Sequence, residues 1–106
     1  MKILIGYTTK DINEHKQDRH VKGTVDHEIA VKSGKNPSVF PDRKTAEKYV
    51  IDTWKTGNPD PNNLNRRVKN YGSGVVGQTY DGKDLHQVTV QDSKTGKHGW
   101  PSGQAD

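Results

Sequence analysis

Leu85-His86-Gln87-Val88-Thr89-Val90-Gln91-Asp92-Ser93-Lys94-Thr95-Gly96-Lys97-His98-Gly99-Trp100 decides the fold class. His86, Val88 and Val90 alternate with Gln87, Thr89 and Gln91, the two-residue period of a half-buried strand over 85–91. Ser93-Lys94-Thr95-Gly96 reads as a turn, with Gly96 free to take positive φ. A last strand is expected over 97–100, closed by Pro101. Upstream, Asp81-Gly82 is a hairpin turn signal. The stretches 66–71 and 74–80 read as further strands, the second glycine-rich and so twisted or bulged.

Before this β-rich half, the sequence reads as helical. Asp42 is a cap for a helix over 43–55, stopped by Gly57 and followed by Pro59. Its inner stripe is Ala46, Tyr49, Val50, Thr53 and Trp54, and both aromatics are expected in the core. Thr8, Thr9 and Asp11 are cap candidates for an earlier helix over 12–22, anchored by Ile12. Residues 2–7 read as a short strand, and so do 25–31, where Val25, His27, Ile29 and Val31 alternate. Residues 33–37 and 58–65 read as loops, and no repeat is visible. Helices followed by an antiparallel meander make an α+β pattern.

At 106 residues one domain is expected. Leu, Ile, Val and Phe together make up less than a fifth of the chain, so the core is thin. The net charge of +4 points to an acidic partner: nucleic acid, an anionic surface or an acidic protein. The charge is spread along the chain, so a cationic surface must be assembled by folding. There is no cysteine, which excludes disulfides, thiol nucleophiles, Cys-type zinc sites and the usual zinc deaminases. The stretch 1–7 is too short for a signal peptide or a membrane span, so a secretion address is expected on sequence outside this one.

The densest chemistry lies in Lys16-Gln17-Asp18-Arg19-His20-Val21-Lys22-Gly23-Thr24. On a helix Lys16 and His20 share a face, and Gly23 is a natural stop. Such a stretch is either a solvated helix end or a phosphate-handling site. Lys16-Gln17-x-x-His20-x-x-Gly23-Thr24 resembles the opening motif of the bacterial polymorphic toxin type 50 domain. Ser93, Lys94, Gly96, His98 and Pro101 resemble its closing motif, although Asp92 and Gly99-Trp100 depart from it. Such domains are similar to the barnase, EndoU, colicin and RelE group of ribonucleases. That resemblance implies N-terminal helices packed on an antiparallel sheet, with metal-independent RNA cleavage on the sheet's face. It also implies a setting. The domain would be secreted or displayed as the end of a larger protein and would act in the target-cell cytoplasm. It would be monomeric when free, directed at RNA (transfer RNA above all), and held in check by an acidic cognate immunity protein.

The residues suit that chemistry. RNA cleaves itself when its 2′-hydroxyl is deprotonated and attacks the adjacent phosphorus, so no metal or other cofactor is required. The protein must supply a base, an acid and charge for the phosphorane oxygens. With an ordinary pKa of about 6.5, histidine serves both proton roles. The catalytic candidates are therefore His20 and His98 for proton transfer, Lys16 and Lys97 for the phosphate, and Thr24 and Ser93 as hydrogen-bond donors. Arg19, Lys22, Lys94 and Trp100 are candidates for holding RNA. A metal nuclease is disfavoured, because His15 and His20 are five apart and no acidic cluster accompanies them. Gly72-Ser73-Gly74 is an isolated fragment, not a nucleotide loop. The rival reading is a non-catalytic basic module that binds nucleic acid or protein, as at the ends of phage head proteins. An immunity protein ranks last, because the chain is basic.

Overall fold

The computed structural model describes residues 11–106, and the strand expected over 2–7 and the caps Thr8 and Thr9 lie outside them. Three helices come first: α1 (Glu14–Asp18), α2 (Val25–Lys32) and α3 (Arg43–Thr56). Six strands follow: β1 (Asn58–Asp60), β2 (Asn63–Asn70), β3 (Gly77–Gln78), β4 (Asp84–Leu85), β5 (Gln87–Ser93) and β6 (Gly96–Ser102). β1, β2, β5 and β6 form one antiparallel sheet in that order, and β3–β4 is a separate two-stranded ladder inserted between β2 and β5. The architecture is α+β.

α3 forms where the apolar stripe predicts. Asp42 accepts a hydrogen bond from the Thr45 amide at 2.7 Å, and Ala46, Val50 and Thr53 are buried. The helix lies across one face of the sheet, against Val88 and Val90 of β5. Phe40, Val21, Ile12 and Val76 extend this core. Tyr49 stacks on Phe40 at 6.1 Å and meets Tyr71 edge-on at 4.9 Å. Trp54 lies at the rim, under Arg67 and Lys97.

Several expectations are corrected. The first helix is one turn and a half, not 12–22. Asn13 caps it by accepting from the Lys16 amide at 3.0 Å. Ile12 bridges to Lys97 and Val21 to Phe40, so both ends of the stretch leave the helix to pair. The strand expected over 25–31 is helix α2. Thr24 caps it by accepting from the His27 amide at 3.1 Å, and Asp26 and Glu28 favour its N-terminal end. Its alternating Val25, Ile29 and Val31 are exposed, and only Ala30 is buried. The loop expected over 58–65 contains β1 and the start of β2, with Pro59 tolerated because β1 is an edge strand. The strand expected over 74–80 shrinks to β3.

β6 runs through Pro101 to Ser102, against the expectation that proline would end it. Pro101 pairs with Val88 on an edge strand, where its missing N–H breaks no ladder bond. That edge is covered. The Gln17 amide donates to the Gly99 carbonyl at 2.8 Å and accepts from the Gly99 N–H at 2.7 Å. The Asn13 amide donates to the Lys97 carbonyl at 2.8 Å, and Ser38 Oγ donates to the Pro101 carbonyl at 2.6 Å. The N-terminal segment thus occupies groups that would otherwise invite another strand.

Candidate active site on the open face of the sheet

The alternation of β6 sorts its residues. Lys97, Gly99 and Pro101 face α3, and His98 and Trp100 face the opposite, helix-free side. Register places Gln91 beside His98 and Arg66 beside Gln91, so Arg66, Gln91 and His98 cross three strands in one row. Arg66 Nε donates to Gln91 Oε1 at 3.0 Å, and its guanidinium lies 5.6 Å over the Trp100 ring.

The fourth member comes from the turn after α1. Gln17 clamps Gly99, and His20 is one turn further on, so its ring is brought over β6. Its centroid lies 6.1 Å from that of His98 and 5.8 Å from that of Trp100. His98 and Trp100 are 5.2 Å apart. His20 is held at three points. Its amide donates to the Gln17 carbonyl at 2.9 Å, its carbonyl accepts from the Phe40 amide at 2.8 Å, and Nδ1 is 2.9 Å from the Ser38 carbonyl. A carbonyl only accepts, so Nδ1 carries the proton, and in the neutral ring Nε2 carries the lone pair.

Both imidazoles are biased toward neutrality. Burial lowers the pKa of His20, and Arg19 and His27 push the same way, against the Ser38 hydrogen bond. Burial, followed by His20, Lys16, Arg19 and Arg66, lowers His98 to about 4. His98 Nδ1 is buried with no hydrogen-bond partner among the described residues. The arrangement is two imidazoles biased toward neutrality beside the cationic side chains of Lys16, Arg19 and Arg66, a setting that favours an anion.

The structure therefore brings together His20, His98, Lys16, Arg19 and Trp100. It leaves out the other candidates. Lys97 is on the reverse face, 3.4 Å from Asp92 and 4.9 Å from the Trp54 ring centre. Adjacent strand residues face opposite ways, so Lys97 and His98 cannot serve one phosphate on this face. Thr24 is a helix cap whose hydroxyl donates to the Asp18 carbonyl at 2.6 Å. Ser93 Oγ donates within its own turn, to the Gly96 carbonyl at 2.8 Å. Lys94 is exposed at the tip of that turn, and Lys22 borders a different cavity. Arg66 joins the site although sequence reasoning missed it. Only the register of β2 against β5 separates Arg66 from its neighbour Arg67, which turns to the Trp54 carbonyl behind the sheet.

Among the described residues no cluster of three or more His, Asp or Glu side chains is placed to hold a metal ion, and no helix is long and apolar enough to cross a membrane. No known protein family, curated protein or solved structure matches this chain.

Proposed function

We propose that the domain is a metal-independent endoribonuclease. The observation that carries this reading is the locked His20 ring, its Nδ1–H committed to Ser38, beside His98 and the cations Lys16, Arg19 and Arg66. His20 Nε2 takes the proton of a ribose 2′-hydroxyl. The freed O2′ attacks the neighbouring phosphorus, and the P–O5′ bond breaks. His98 gives a proton to the departing O5′, leaving a 2′,3′-cyclic phosphate and a 5′-hydroxyl. In the free protein His98 is uncharged at neutral pH. A bound phosphodiester anion raises its pKa, because a nearby negative charge favours the protonated ring. Lys16, Arg19 and Arg66 stabilise the phosphorane oxygens, and the Trp100 face carries a base.

The motif resemblance supplies the setting. A helix-backed antiparallel sheet with chemistry on its open face suits a barnase/EndoU/colicin/RelE-like toxin. Transfer RNA is the proposed target. An acidic immunity protein would cover Lys16, His20 and His98 and associate quickly through charge complementarity.

The test is total bacterial RNA incubated with the purified domain in excess EDTA and resolved on a denaturing gel. Discrete fragments ending in 2′,3′-cyclic phosphate are expected, and they should be lost in His20→Ala and in His98→Ala with circular dichroism unchanged. Intact RNA that is shifted on a native gel would instead identify a binding module.

A further inference from the structure

His20 also borders a second feature, a cavity of about 270 Å³ lined with Arg19, Lys35 and Asn36. Lys35 and Asn36 are shared with a larger cavity of about 460 Å³, whose walls include Lys22, His27, Gln78 and Tyr80. No Asp or Glu lines either cavity. The first motif's Lys22, which the catalytic cluster does not use, thus faces the same groove as Lys35. Tyr80 is 63% exposed, outside the core, in the β3–β4 connection. That turn is fixed by the Thr79 amide donating to the Lys83 carbonyl at 2.9 Å and the Gly82 amide donating to the Thr79 carbonyl at 3.0 Å. The neighbouring Asp81 carboxylate is occupied by Thr79 Oγ and Lys83.

We infer, on the ribonuclease reading above, that the substrate is an extended single-stranded RNA whose chain leaves His20, crosses Lys35 and Asn36, and lays a base on Tyr80 in the larger cavity. The chemistry along the path is what a single strand requires. Cations track the phosphates. An exposed aromatic gives a sequence-tolerant platform for a base that a duplex would keep paired. The larger cavity lies within the size range of small-ligand sites. RNA that is unpaired for several nucleotides beside the cut, such as a loop, fits this track, and a continuous duplex does not.

Oligodeoxythymidine has no 2′-hydroxyl and cannot be cleaved, so it reads binding alone. Fluorescence anisotropy with a dinucleotide and an octanucleotide is compared for wild type, Tyr80→Ala and Lys35→Ala. The octanucleotide should bind wild type at least tenfold more tightly than the dinucleotide. Tyr80→Ala should remove about tenfold of that gain, the usual scale of a lost stacking partner, without changing dinucleotide affinity, and Lys35→Ala should remove about tenfold of it, the scale of a lost charge-assisted phosphate contact. Unchanged octanucleotide binding in both variants would overturn the inference. Cleavage of an RNA dinucleotide in parallel separates the two readings. It should proceed equally in wild type and Tyr80→Ala, and its absence from both would count against the catalytic assignment, not against the track.

Discussion

His98 makes the protein's stability depend on pH in a way that can be measured without any substrate. In the folded state its pKa is about 4, against 6.5 for an ordinary histidine. As pH falls, the unfolded chain takes up this proton before the folded one does. The unfolded state therefore binds more protons throughout that window, and stability falls as pH drops from 6.5 toward 4. The full fall corresponds to about 3 kcal/mol at 1.36 kcal/mol per pKa step. The ring is only partly buried, so solvent screening reduces this to about 1–2 kcal/mol. The perturbation is His98→Gln, which cannot titrate. The assay is urea unfolding of both proteins between pH 7 and pH 4. His20 acts in the same direction, and His86 acts oppositely, because Asp106 raises its pKa. Asp42, Asp52 and Asp81, with lowered pKa values, lose stability in both proteins as pH approaches the carboxylate range. His86 and the carboxylates cancel in the difference between the two proteins, which isolates His98 together with its coupling to His20. Wild type should lose about 1–2 kcal/mol more than the variant over this range. Parallel stability curves would refute the claim that His98 is held uncharged by burial and by its cationic neighbours.

Three further outcomes follow from the same geometry. Gln17→Ala should cost about 2–3 kcal/mol in urea unfolding, because it strips both partners from the buried Gly99 backbone; it should also slow cleavage by releasing the His20 turn. Arg66→Ala should lower kcat/KM on RNA by about ten- to a hundredfold, the value of one charge-assisted contact. Lys97→Ala should leave kcat/KM within about twofold, since its ammonium lies behind the sheet beside Asp92 and the Trp54 ring, on the face opposite His98; equal losses in Arg66→Ala and Lys97→Ala would show that the face assignment is wrong.

The sequence makes some of this legible for clear physical reasons. α3 carries a cap, an apolar stripe and a stop, and all three agree. The β5–β6 hairpin carries alternation and a glycine turn, and Gly96 takes a φ of 117°. His20, His98, Lys16, Arg19 and Trp100 were legible as candidates because they fall in two chemically dense stretches. α2 misled, because its exposed Val25, Ile29 and Val31 mimic strand alternation, whereas the deciding signal was the capping hydroxyl of Thr24. Thr24 and Ser93 looked like phosphate donors because a hydroxyl's partner is set by local backbone geometry, which composition does not show. Lys97 could have been excluded from the His98 face by strand parity alone. Arg66 could not have been chosen over Arg67 without the cross-strand register, a property of the folded sheet.

The most direct test of the central claim uses a chimeric oligonucleotide, deoxyribose throughout except for one ribose, incubated with the domain in excess EDTA and analysed by mass spectrometry. The account predicts a single cut immediately 3′ of the ribose, with a 2′,3′-cyclic phosphate on one fragment and a 5′-hydroxyl on the other, and loss of the cut in His20→Ala. Cleavage at deoxyribose linkages, or cleavage that survives in His20→Ala, would contradict it.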